Sequence, residues 1–336
     1  MLHVPDPLDL PATPDFLRHQ ARHGVFDGPV LRRAFALIGH TPAAQQWATF
    51  LNFLLLVLGT GLLVSGVIFF FAFNWAGMHR FAKLGLIEGS IAIAIGLALW
   101  QGLSTLPGKI ALSAAAGLVG ALLAVFGQIY QTGADSYQLF ALWSILISGW
   151  VLLGRFTPLW FFWLLLLNMT LWLGALETGG EQVGPTYAAM FALNALALAG
   201  WEWARTRGIA WLHSRWTPRL CASLALGALT SATLTVIFAS QGELAGDSWL
   251  VGAAPLFVVV TVGLIYGYSQ HLFDPFMLII TALAVCICLN SWLIRMLDFD
   301  DEAIIFLILG MLVIGETAGV VAWVRQRALR WEINQP

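Results

Sequence analysis

The stretch Phe126-Gly127-Gln128-Ile129-Tyr130-Gln131-Thr132-Gly133-Ala134-Asp135-Ser136-Tyr137-Gln138-Leu139-Phe140-Ala141-Leu142-Trp143 begins inside an apolar run, turns polar, and enters a second apolar run with no basic segment between them. A membrane helix that leaves the bilayer, turns and returns has this pattern. Gly133 suits the turn because a residue without Cβ takes left-handed backbone without strain. Working outward in both directions, long apolar runs separated by short polar links recur from about residue 50 to about residue 324. Runs of about 18 or more apolar residues are long enough to cross the hydrocarbon layer. The reading is all-α: a polytopic membrane bundle of about ten transmembrane helices with a short soluble helical N-terminal arm.

Composition agrees. Apolar residues make up 59% of the chain and charged residues 10%, against about 25% charged in an ordinary soluble domain. The 16 Trp fit a chain with many bilayer boundaries, where amphipathic rings settle. A net charge of −2 points to no polyanionic partner, and no nucleic acid is expected. Cys221, Cys286 and Cys288 all fall in apolar runs and read as small buried hydrophobes with free thiols. No zinc-like spacing joins them to histidines, so no metal and no cofactor is expected. Met1 to Pro14 lacks the basic start and apolar stretch of a cleavable signal.

Three segments are expected: an arm over 1–49, a membrane domain over 50–324 and a tail over 325–336. In the arm, Thr13-Pro14-Asp15 reads as N-cap, first-turn proline and helix-compatible acid, with Gly24 as a stop. A second short helix is expected from Pro29 to Ile38. The spans are placed at about 50–73, 81–101, 110–131, 138–154, 158–176, 185–204, 219–240, 249–268, 273–294 and 303–324. The fourth is short enough to be half of a re-entrant hairpin.

Basic residues set the orientation, since cytoplasmic loops carry the excess of Lys and Arg. With the N-terminus inside, thirteen lie on the inner side (Arg18 through Arg33, Lys109, Arg155, Arg205, Arg207, Arg215, Arg219 and the C-terminal arginines) and only Arg80, Lys83 and Arg295 outside. Both termini are then cytoplasmic, in a bacterial inner membrane. Trp203, Arg205, Arg207, Trp211, Arg215 and Trp216 alternate as in a segment lying in the headgroup layer. Membrane lipids are the implied partner. The alternative is an ordinary aromatic belt with basic flanks. Outer links are acidic, with Glu177 and Glu181, Glu243 and Asp247, then Asp298 to Glu302, but no calcium-loop spacing appears.

Glu88 and Glu316 are the carboxylates read as clearly intramembrane, each within a Gly-xxx-Gly frame that admits a neighbouring helix. They are either proton-bearing sites on a transport path or hydrogen-bonded struts. Asn168, Asn194 and Asn290 are expected to bond between helices.

At the outer face Asn74, Lys83, Gln128, Tyr130, Gln131 and Asp135 form a candidate polar cluster, with Lys83 expected to pair with Asp135. Gln128 to Asp135, followed by Leu139-Phe140 and Trp143, resembles the signature of the bacterial membrane proteins called domain of unknown function 2157. Asn74-Trp75 and Lys83-Leu84 are similar to that family's other recurrent stretch. The resemblance is best over residues 13–175. It implies an envelope complex, because members of the family are often encoded beside a membrane protein of domain of unknown function 4401 and a protein with a Gly-Asp-Tyr motif.

No nucleophile–base set or phosphate loop appears, so an enzyme is not expected. The function read from the sequence is a non-catalytic subunit or scaffold of an envelope membrane complex, with other membrane proteins of that complex as partners. The alternative is a transporter or channel component using Glu88 and Glu316.

Overall fold

The computed structural model describes residues 12–38, 44–74, 77–177, 179, 183–212, 214–239, 247–296 and 302–333. Among these the chain is all helix, with no strand. Twelve α-helices follow in order: α1 Pro14–Arg22, α2 Gly28–Leu37, α3 Ala44–Asn74, α4 Arg80–Gln101, α5 Leu106–Tyr130, α6 Ser136–Gly154, α7 Thr157–Glu177, α8 Val183–Thr206, α9 Trp216–Phe238, α10 Ser248–Tyr266, α11 Pro275–Met296 and α12 Glu302–Ile333. A 3-10 turn, Ala210–Leu212, lies between α8 and α9, and a π turn, Gly267–His271, closes α10. The last ten helices are long and apolar enough to cross a membrane.

Helix starts and stops follow local chemistry. Thr13 caps α1 by accepting from Phe16 N at 3.3 Å, with Pro14 in the first turn and Gly24 at φ +75° behind it. Thr105 caps α5 in the same way, accepting from Gly108 N at 3.2 Å. The fourth span is a full helix of 19 residues rather than a half-hairpin, and at about 1.5 Å per residue it reaches nearly the hydrocarbon thickness. α12 is one helix of 32 residues that continues past residue 325. α1 and α2 pair with each other, the Arg18 guanidinium lying 5.6 Å from the Phe35 ring centre.

Two groups of helices result. In the first, α4 and α6 flank α5, α7 packs on α6, and α3 lies against α5 from outside. Small residues decide the close approaches. A Cβ at Gly108 would strike the Gly102 carbonyl, so the α4–α5 turn requires glycine there. A Cβ at Gly120 would strike the Trp143 ring, whose indole N–H donates to the Ala116 carbonyl at 2.7 Å. The core of this group is Leu112, Ala116, Val119, Ile147, Val151, Leu159 and Leu166. In the second group α9 is the centre, flanked by α8, α10 and α11, with α12 outside on α11.

The groups meet where α7 packs on α8. Midway along both helices Asn168 and Asn194 exchange side-chain hydrogen bonds, Nδ2 of each to Oδ1 of the other at 3.2 and 2.7 Å. Each amide also donates to the carbonyl four residues back, Leu164 and Met190, at 2.8 Å. Asn194 is 0% exposed, and no donor or acceptor of the pair is wasted on lipid. The two ends of the bundle are also tied. At one end Asp247 caps α10 and accepts from Gly184 N at 3.1 Å, which works only because residue 184 has no Cβ to meet its carboxylate. At the other end Thr157 Oγ1 donates to the Trp211 carbonyl at 3.2 Å, and the Phe273 and Trp331 rings stack.

Candidate functional site: an ion cluster and two boundary faces

The densest polar constellation lies where α8, α9, α10 and α11 end together. Asp274 is its anchor, 1% exposed in the link before α11. The sequence places it there for a local reason: Asp274-Pro275 is an N-cap followed by a first-turn proline. Its Oδ1 accepts from Phe276 N at 3.1 Å. The same carboxylate takes Arg215 Nη2 at 2.7 Å and, as a fork, Arg219 Nη2 and Nε, each at 3.1 Å. Arg215 reaches on through Nη1 to Glu202 Oε1 at 3.3 Å, while Arg205 Nε holds Glu202 Oε2 at 3.1 Å. The π turn brings Tyr268 inward, where its hydroxyl donates to Glu202 Oε1 at 3.0 Å.

Burial pushes the Asp274 carboxyl up, but the hydrogen bonds and charges of Arg219 and Arg215 outweigh it and hold the group below 3.8. Charge-assisted, forked bonds of this kind are the strong ones. Every member is engaged, which makes the cluster a fastening of four helices. It presents no nucleophile or free base.

The tryptophan–arginine alternation splits in two around these carboxylates. Trp203 and Trp216 are exposed, and Arg207 lies 5.0 Å from the Trp203 ring centre. Arg205 and Arg215 turn to Glu202 and Asp274 instead of outward to phosphates. Trp211 packs among Trp160 and Trp201, at ring-centre distances of 6.0 and 6.1 Å. Glu202 and Asp274 are the residues the sequence reading missed. The findable signal was an acid at the end of a predicted span, level with the inner arginines.

At the opposite boundary α5 stops at Tyr130. Gln131 takes the left-handed conformation at φ 45°, Thr132 N donates back to the Gly127 carbonyl at 3.4 Å, and Gly133 follows at φ +63°. Gln131 therefore ends α5 and does not continue the helical face of Gln128. Gln128, Tyr130, Gln131 and Asp135 are all exposed. Tyr130 packs on Phe126, ring centres 4.6 Å apart. Asp135 accepts from Gln138 Nε2 at 3.1 Å. The expected Lys83–Asp135 pair is not formed: Lys83 is buried on α4 and engaged elsewhere, while Asp135 bonds within its own hairpin. Asn74 ends α3, and Trp75 falls outside the described residues. So do Glu181, Glu243 and Asp298 to Asp301 of the acidic links.

Residues 33–160 match a family model described as predicted membrane protein (DUF2157). The match takes in Lys83, Gln128 to Asp135 and Trp143, the residues that carry the resemblance. No curated protein and no solved structure matches the chain. The DUF2157 match covers α3 to α6 and ends at the start of α7, so the ion cluster lies outside it.

The two intramembrane acids occupy different settings. Glu316 of α12 accepts from Asn290 Nδ2 of α11 at 2.8 Å, and Asn290 also donates to the Cys286 carbonyl at 2.8 Å. Glu316 thus hydrogen-bonds across from α12 to α11. Glu88 is exposed on α4, in line with Gly85, Gly89, Ala92 and Gly96. A Cβ at any of those three glycines would meet nothing within 4 Å. The two carboxylates sit in different groups of helices.

Proposed function

We propose that the chain is a non-catalytic subunit of a bacterial inner-membrane assembly, with both termini and the short α1–α2 arm on the cytoplasmic side, and that α4 is a face on which another membrane protein docks. The observation that carries this reading is Glu88, an exposed carboxylate within a span and beside a stripe of small residues. A charge facing hydrocarbon costs about 3 kcal/mol even on insertion scales. A partner helix that donates to it removes that cost, and Gly85, Gly89 and Gly96 let its backbone come close. The outer faces of α3 and α12 are likewise broad and apolar.

The transporter reading requires Glu88 and Glu316 on one polar route, and their separation into different helix groups weighs against it. Co-purification in mild detergent tests the assembly. Gly89→Ile is expected to lose the membrane proteins that travel with the wild-type chain, while Gly227→Ile, on an open face of α9, keeps them. Retention of every partner by both variants rejects α4 as the docking face.

A further inference from the structure

Among the described residues six buried side-chain polar atoms have no hydrogen-bond partner, and three of the six gather in one place. Trp143 and Trp163 show the usual fate of a buried indole N–H, donating to the Ala116 and Ser144 carbonyls at 2.7 and 2.9 Å. Among the described residues Trp160 Nε1 and Trp201 Nε1 have no acceptor, and Thr217 Oγ1 has no partner either. Several hydroxyls deeper in the spans bond the carbonyl four residues back, as Ser113, Thr233 and Thr281 do, though Thr230 does not. Thr217 sits in the first turn of α9, with no helical turn before it to supply that carbonyl. Thr217 is 0% and Trp201 8% exposed.

All three residues line one cavity of about 410 Å³, enclosed by the starts of α7 and α9, the 3-10 turn and the last turns of α8. Its volume is that of a small-ligand pocket. Trp163 and Trp211 complete the aromatic wall. Leu196, Ala197 and Gly200 form the side on α8, and Leu196 is 73% exposed, so this side faces the bilayer. Of the arginines on the chain segments that frame the cavity, Arg205, Arg215 and Arg219 are held by Glu202 and Asp274, which leaves Arg155 and Arg207 to meet an anion at the boundary. An apolar space beside the bilayer, unmet donors within it and excess positive charge at the boundary describe one kind of occupant.

We propose that this cavity binds an anionic phospholipid. One acyl chain fills the tryptophan-walled space, ester oxygens accept from the Thr217 hydroxyl and the indole donors, and the phosphate rests at the arginine fringe. A soluble anion would gain nothing from the apolar walls. The proposal is independent of the α4 docking face.

Titration of the delipidated full-length protein with phosphatidylglycerol or phosphatidylcholine, counted by native mass spectrometry, tests it. Wild type is expected to bind phosphatidylglycerol in preference. Gly200→Leu, at a site where a Cβ has nothing within 4 Å, is expected to fill the cleft and weaken that binding about ten-fold or more. Thr217→Val is expected to weaken it about five-fold, the loss of one hydrogen bond. Gly227→Leu is expected to leave it unchanged. Equal binding by wild type, Gly200→Leu and Thr217→Val means annular lipid only and overturns the proposal. Equal affinity for the two lipids overturns the anionic headgroup.

Discussion

At the arginine-rich end, Arg215 reaches a carboxylate 59 positions away and joins helices that are separate in the chain. At the opposite end, Asp135 accepts from Gln138, three positions away in the same hairpin. Both ends are made of boundary residues with polar tips, and both read from the sequence as candidate surfaces. They differ in whether a buried acid is supplied from a distant helix. Where Glu202 and Asp274 are present, arginines turn inward and lock the bundle. Where no such acid comes from elsewhere, Gln128, Gln131 and Asp135 stay exposed.

Asp274→Ala should break this contrast most severely, because it leaves Arg215 and Arg219 without their shared carboxylate. Removing one partner of a buried pair costs about 3–5 kcal/mol, and the partial exposure of both arginines reduces this to about 2–3 kcal/mol. A lowered midpoint in thermal unfolding of the detergent-solubilised protein is the readout. The pH dependence has a definite sign. The folded-state carboxyl titrates below 3.8, so its contribution is whole above 3.8 and is lost as pH falls through the lower folded value. The acid-induced step should disappear in Asp274→Asn.

Gly120→Ala comes next and asks whether the interlock of the first helix group is as demanding as the ionic one. The added methyl meets the Trp143 ring and displaces it from the Ala116 carbonyl. About 2 kcal/mol of destabilisation is expected, with a change in near-ultraviolet circular dichroism. Asn168→Ala and Asn194→Ala should each cost about 1 kcal/mol, and a double-mutant cycle should return a coupling of about 0.6–1.7 kcal/mol. Additive effects in that cycle would mean the two amides act separately. Asp135→Ala should be the mildest, within about 0.5 kcal/mol in the same unfolding assay, since its one bond lies on an exposed turn. A loss as large as that of Asp274→Ala would erase the distinction between the two ends.

The helices were legible because their signals are local. Thr13 and Pro14 start α1, and apolar length alone gives the ten candidate spans. The bonding of Asn168, Asn194 and Asn290 could be anticipated, because an amide in a span has no water to turn to. Their partners could not be named, since residues 26 positions apart meet only through the packing of helices. The inward turn of Arg205 and Arg215 in the arginine–tryptophan link was hidden for the same reason. Its alternation is real, but Asp274 and Tyr268, which decide where Arg215 and its neighbours point, belong to a link two helices further on. The Lys83–Asp135 pair failed because two residues at one boundary need not share a helix face.

The Asn168–Asn194 ring stands halfway along the seam between the two helix groups, with the Thr157–Trp211 bond at one rim and the Trp172 and Tyr187 rings at the other. A seam pinned at its midpoint behaves as a pivot: tilting one group over the other would strain the joints at the rims while the centre stays still. A load on α3 of one group would therefore reach α12 of the other as through a fulcrum.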